Sequence, residues 1–172
     1  MMERARQHGM VCFSSPFDES AVDFLEELDV PAYKIASFEN NHLPLIEKAA
    51  STVKPLFIST GMATLGELED AVRTARDVGC AQLVLLKCTS NYPSSPQNTN
   101  LRTIPHLRQL FNTEVGLSDH TMGIGAAVAA IALCASVVEK HFTLARADGG
   151  VDAAFLLEPA ELTSLVSETE RA

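Results

Sequence analysis

Two short stretches end in histidine: Gly116-Leu117-Ser118-Asp119-His120 and Glu139-Lys140-His141. Alternation along an extended chain puts Gly116, Ser118 and His120 on one face, and Glu139 and His141 likewise share a face. On adjacent strands, with both faces turned to the same mouth, the two imidazoles can chelate one divalent cation. Two histidines leave coordination positions open for water and substrate, as a Lewis-acid site requires. Imidazole suits several transition metals, so these ligands do not fix which one. The bland alternative is a pair of structural histidines. His8, His42 and His106 fall in helical or loop positions and are read as surface residues.

A lysine follows the same logic. Lys34 lies inside the run Pro31-Ala32-Tyr33-Lys34-Ile35-Ala36-Ser37, where an ammonium is costly unless it meets an anion or water. It could bind phosphate or carboxylate, serve as a desolvated Schiff-base amine, or snorkel from a strand end. Lys87 and Lys140 are weaker versions. Lys140 alternates away from Glu139 and His141, so pairing with a helix carboxylate is expected for it. Ser59-Thr60-Gly61-Met62 and Lys87-Cys88-Thr89-Ser90-Asn91-Tyr92-Pro93 each place small hydroxyls after an apolar run. Hydroxyls and helix N-terminal amides can hold anionic oxygens, although serine and threonine also cap helices routinely. Asp148-Gly149-Gly150-Val151-Asp152 reads as a loop closing over substrate or as a plain turn.

The elements that must position these groups alternate along the chain. Strand-like runs cover Met10 to Phe13, Ala32 to Ala36, Leu56 to Ile58, Leu83 to Leu86, Val115 to Leu117 and Ser136 to Glu139. Helical patterns cover Ser20 to Leu28, Leu43 to Ala50, Leu65 to Val78, Thr103 to Phe111 and Ile124 to Leu133, with a last helix starting at Pro159. Apolar strands separated by helices predict a parallel sheet with right-handed crossovers. The chemistry-bearing residues stand where each run stops, and in a βα barrel those carboxyl ends form one rim. An open doubly wound sheet is the structural alternative; neither GxGxxG nor GxxxxGK[ST] occurs to support it.

At 172 residues and 47% hydrophobic the chain can bury a sizeable core, yet a complete eight-fold barrel needs about 250 residues. A formal net charge of −9 argues against nucleic-acid and anionic-membrane partners. Any anionic substrate must be held by a few local cations and backbone dipoles. Cys12, Cys80, Cys88 and Cys134 form no CxxC pair; they read as reduced core thiols of a cytoplasmic protein. No membrane span or signal peptide is expected. Glu3 to His8 is helix-like and ends at Gly9. It reads as the tail of a helix beginning upstream, with Met1 an internal or artificial start; a short native helix is the other reading.

Six motifs carry a family likeness in order: Ser14-Ser15-Pro16-Phe17-Asp18, Tyr33-Lys34-Ile35-Ala36-Ser37, Ile58-Ser59-Thr60-Gly61-Met62, Leu86-Lys87-Cys88-Thr89-Ser90 with Tyr92-Pro93, Gly116-Leu117-Ser118-Asp119-His120-Thr121, and Glu139-Lys140-His141-Phe142-Thr143. Together they resemble the N-acetylneuraminate, legionaminate and pseudaminate synthases, nearest to the pseudaminate branch. The resemblance implies a (β/α)8 TIM barrel, here incomplete, with six of eight βα units over residues 1–172 and the first two strands missing. It implies His120 and His141 as ligands of Mn2+, with Mg2+ or Co2+ as alternatives. It places Ser15, Lys34, Ser37, Ser59, Ser90 and Ser118 around phosphoenolpyruvate, and Tyr92, Glu139 and Asp152 towards an N-acetylated amino sugar. Lys34 and Glu139 carry the catalytic roles. The implied reaction condenses the two substrates, with C–O cleavage and phosphate release, into a nine-carbon 2-keto sugar acid.

The departures matter as well. The family's first two strands and its C-terminal antifreeze-like domain, which reaches across a homodimer, lie outside the matched residues. Six strands would leave two edges, near Val11 and Val138, open to pairing with another chain. Two further readings stand beside the synthase: a Schiff-base aldolase or lyase using Lys34, and an inactive truncated barrel.

Overall fold

Periodic apolar residues become helices, and short aliphatic runs become parallel strands, in a computed structural model that describes residues 1–172. The chain separates into two compact units, Met1–Val84 and Leu85–Ala172.

In the first unit, α1 (Met2–Gln7) buries nothing. It stops at Gly9, whose φ of +67° suits a residue without Cβ. Helix α2 (Glu19–Glu27) is capped by Asp18, whose carboxylate accepts from the Ala21 amide at 2.8 Å. It turns Val22 and Leu25 inward. Strand β1 (Tyr33–Ile35) pairs parallel with β2 (Leu56–Ser59), setting Tyr33 opposite Leu56 and Ile35 opposite Ile58. Between them α3 (Leu43–Ala50) buries Leu45, Ile46, Ala49 and Ala50. Helix α4 (Leu65–Asp77) opens on a capping box: the Thr64 hydroxyl accepts from the Glu67 amide, and the Glu67 carboxylate accepts from the Thr64 amide. The helices lie together, α3 against both α2 and α4.

Strand β3 (Leu83–Cys88) carries the chain into the second unit. There α5 (Thr103–Phe111) packs Ile104, Leu107 and Phe111 beside β4 (Glu114–Asp119). Helix α6 (Gly125–Ala132) follows, then β5 (Val138–Lys140), which pairs parallel with β4. The register sets Leu117 opposite Val138, Ser118 opposite Glu139, and Asp119 opposite Lys140. Helix α7 (Pro159–Thr169) starts at its proline and packs on α6. Ala127, Leu157 and Leu165 form a buried cluster there, joined by Val138.

The expected α/β class with parallel strands is therefore present, but with five strands where the sequence indicates six. Met10 to Phe13 does not form a strand. Only Ser14, just beyond it, makes a parallel bridge, to Tyr33, and Met10 and Val11 stand 65% and 73% exposed. The physical reason is that apolar content marks a run that prefers burial, whereas a strand is made by ladder partners. The expected Ser136 to Glu139 strand begins two residues later and ends one residue later, at Val138–Lys140. The cysteines are all free thiols, but only Cys80 and Cys88 are buried; Cys134 is exposed and Cys12 intermediate. No helix is long and apolar enough to cross a membrane.

Candidate active site

In the first unit the strand ends gather polar groups that the apolar strands hold still. Lys34 sits mid-β1 and is 9% exposed; Ser37 and Ser59 are buried just beyond β1 and at the end of β2. The Ser37 hydroxyl accepts from the Gly61 amide at 3.2 Å. Asn40, also buried, donates its amide to the carbonyls of Ser59 and Gly61, both at 3.0 Å. This fastens the turn after β2 from one side. The Ser59 hydroxyl itself is buried with no hydrogen-bond partner in the protein. A buried hydroxyl left so is costly unless a ligand or water completes it. Ser15 is half-buried, next to the Ser14 bridge.

In the second unit, β4 and β5 deliver the two histidines side by side. The imidazoles of His120 and His141 lie with centroids 5.2 Å apart and planes at 54°. The segment after β3 wraps His120. The Ser94 amide donates to the His120 carbonyl at 2.9 Å, and His120 Nδ1 lies 3.0 Å from the Thr89 carbonyl. A carbonyl only accepts, so Nδ1 carries the proton and, in the neutral ring, Nε2 keeps its lone pair. The Tyr92 ring leans over His120 at 4.2 Å between centroids. Phe155, the last residue of a short 3-10 helix that follows Asp152, packs edge-on against His141 at 5.3 Å.

Charge at this site is uneven. Burial works against protonating His120, but hydrogen bonds with Cys88 and the Thr89 carbonyl, and the charge of Glu139, outweigh it and raise its pKa. His141 is pushed down, by burial first and by His120 second, against the pull of Asp152 and Glu139. Burial raises the Tyr92 phenol, helped by negative charge at Glu139 and Asp152 among others. Burial likewise lowers Lys87, whose ammonium donates to the Thr89 hydroxyl at 2.5 Å.

Sorting the sequence-derived residues by unit, the first contains Ser15, Lys34, Ser37 and Ser59; the second contains Ser90, Tyr92, Ser118, His120, Glu139, His141 and Asp152. Within the second unit His120, His141 and Tyr92 are in ring contact. Ser118 is buried opposite Glu139 in the ladder. The Ser90 hydroxyl lies 3.8 Å from the Cys88 thiol. His42 is half-exposed and 3.8 Å from the Glu19 carboxylate, while His8 and His106 are exposed, as expected of surface residues. Lys140 is a correction: its partner is Asp119 on the neighbouring strand, at 2.7 Å, rather than a helix carboxylate. Sequence reasoning missed Asn40, Asp119 and Phe155. Strand alternation sets Asp119 behind the histidine face and so removed it from view, and Phe155 sits in a segment with no periodicity.

No cluster of three or more histidine, cysteine or acidic side chains stands ready to hold a metal ion. The two imidazoles nevertheless fit as ligands. His120 has its Nδ1 occupied by a backbone carbonyl, the arrangement that orients metal-binding histidines. The pKa of His141 is lowered, towards the neutral form a ligand must have, whereas that of His120 is raised, which works against it until the ion displaces the proton.

Parallel strands whose ends carry hydroxyls in one unit and paired imidazoles in the other define an α/β protein with its polar groups gathered where strands stop. The chain belongs to the NeuB family, whose model matches residues 1–172. It is 44% identical to pseudaminic acid synthase of Helicobacter pylori over 166 residues, which is 96% of this chain and 49% of that protein. It is 41% identical to N,N'-diacetyllegionaminic acid synthase of Campylobacter jejuni over 166 residues, 95% of this chain and 50% of the relative. Among solved structures, the N-acetylneuraminic acid synthetase of Leptospira borgpetersenii, crystallised with citrate, matches with a TM-score of 0.95 and 35% identity, over 99% of this chain and 59% of that one. The chain thus spans about half the length of the curated relatives it matches.

Proposed function

We propose that this chain is part of a synthase that condenses phosphoenolpyruvate with the open-chain aldehyde of an N-acetylated amino sugar, most closely of the pseudaminic type. The product is a nine-carbon 2-keto sugar acid. The strands are read as part of a (β/α)8 barrel, and the homodimer of full-length members and a cytoplasmic location belong to the same proposal. The observation that carries it is the imidazole pair of His120 and His141, 5.2 Å apart on paired strands. The names of the relatives, synthases of pseudaminic and legionaminic acids, support the product class.

In this reading Lys34, with Ser15, Ser37 and Ser59, holds carboxylate and phosphate oxygens, and the unpartnered Ser59 hydroxyl is the group such an oxygen would satisfy. Ser118 and Ser90 are the further phosphoenolpyruvate contacts that the family likeness implies. A divalent ion held by His120 and His141, taken as Mn2+, would supply Lewis-acid polarisation of the aldehyde oxygen. Tyr92 and Asp152 orient the sugar, and Glu139 moves a proton at the new hydroxyl. C3 of phosphoenolpyruvate forms the new bond to the aldehyde carbon. Water adds at C2, and phosphate leaves with the bridging oxygen.

Phosphoenolpyruvate carrying 18O at the bridge tests this. Incubated with Mn2+ and candidate N-acetylated amino sugars, a full-length synthase carrying this chain is expected to put the label into released phosphate, whereas the 172-residue chain alone is expected to be inactive or nearly so. Label retained in the keto acid would overturn the reading. Lys34 in the apolar β1 keeps the Schiff-base lyase as a second reading; borohydride trapping of a keto acid on Lys34 would favour it instead. Substituting His120→Ala or His141→Ala is expected to reduce turnover by more than the roughly 100-fold that loss of an outer partner of a metal site can reach.

A further inference from the structure

Behind the imidazoles lies an ion pair that the proposed chemistry does not use. Asp119 and Lys140 face each other in the β4–β5 ladder. Each immediately precedes a histidine. Their side chains are 1% and 4% exposed, and Lys140 Nζ donates to Asp119 Oδ2 at 2.7 Å. Asp119 Oδ1 accepts from the Thr121 amide at 2.9 Å, and Lys140 Nζ donates also to the Thr121 carbonyl. The backbone is thereby gripped on both sides of His120, from the strand that carries His141.

A buried ion pair is weak evidence for net stability, because desolvation of both charges offsets their attraction. What it supplies is geometry, since both carboxylate oxygens are committed and the ammonium spans two partners. We infer that Asp119 and Lys140 are positioning residues that set the spacing of the His120 and His141 imidazoles for a shared divalent cation. The inference rests on the reading of those histidines as metal ligands.

The test is Mn2+ affinity by calorimetry, with thermal midpoint measured on the same samples. The variants are Asp119→Asn with Lys140→Met together, Lys140→Met alone, Lys140→Arg, His120→Ala and His141→Ala. The double substitution removes both charges and leaves no lone buried ion, so it keeps the test open should the single variant fail to fold. It is expected to weaken Mn2+ binding by about 10-fold or more with little change in thermal midpoint, while Lys140→Arg, which keeps charge and donors, stays near wild type. Mn2+ affinity within twofold of wild type in the double variant, with binding still lost in the histidine variants, would overturn the positioning role alone. Mn2+ binding that survives both histidine substitutions, or is absent from the unsubstituted protein, would remove the metal reading and this inference with it.

Discussion

Gly116 shows how little room the histidine strand has. A Cβ placed there would stand 2.4 Å from the Val137 carbonyl oxygen and 2.8 Å from a Leu86 methyl. The carbonyl belongs to the backbone leading into β5 and cannot simply rotate away. Gly116→Ala is therefore expected to destabilise the protein by about 1 to 3 kcal/mol, seen as a lower midpoint in urea denaturation. Glu26 offers a different probe. Its carboxylate accepts from Lys54 and from the Tyr33 hydroxyl, each at 2.6 Å, and these bonds, the Lys54 one first, hold its pKa below the usual carboxylate value. A depressed folded pKa contributes stability at neutral pH that disappears as pH falls through it. The carboxylate is 40% exposed, so the effect is screened and on the order of 1 kcal/mol or less. The stability gap between wild type and Glu26→Gln is expected to be present at pH 7 and to close on acidification below the ordinary carboxylate range, as followed by denaturation at stepped pH.

Helices were easier to read than strands, and the reason is length. Leu68, Ala71, Val72 and Ala75 repeat at helical spacing and are all buried in α4, so several turns vote for one face. Strands β1 and β5 have three residues each, too few for alternation to outvote a neighbouring apolar run. That is why Met10 to Phe13 reads as a strand and the start of Val138–Lys140 is expected two residues early. The candidate residues were legible where they end a strand or directly follow one, as at Ser59, His120 and His141. Asn40 was not, because its role is to bind two carbonyls of a distant turn, which no local pattern announces. The α4 capping box can be tested at its own scale. Thr64→Ala removes the acceptor for the Glu67 amide, and it is expected to cost about 1 kcal/mol in chemical denaturation while leaving circular dichroism of the native state unchanged.

For the chain as a whole, the balance is between a strongly acidic exterior and apolar side chains that remain in water. The net charge of −9 opposes close approach of copies at low ionic strength. Met10 and Val11, before the lone Ser14 bridge, expose apolar surface on a segment with little ladder pairing, which invites strand-to-strand association. Sedimentation velocity is expected to show self-association that increases with salt, and Val11→Lys is expected to reduce it without lowering the thermal midpoint. An unchanged distribution in the variant would show that association uses another surface.

The segment from Thr89 to Ser94 holds His120 twice, through its ring and through its main chain, and lays Tyr92 upon it. If Tyr92 faces the sugar as proposed, recognition of the sugar and tuning of the imidazole are written in the same six positions. Under that reading, a descendant that changed its diet through this segment would retune its own reactivity in the same stroke, and Phe155, whose ring meets both Tyr92 and His141, would share in the change.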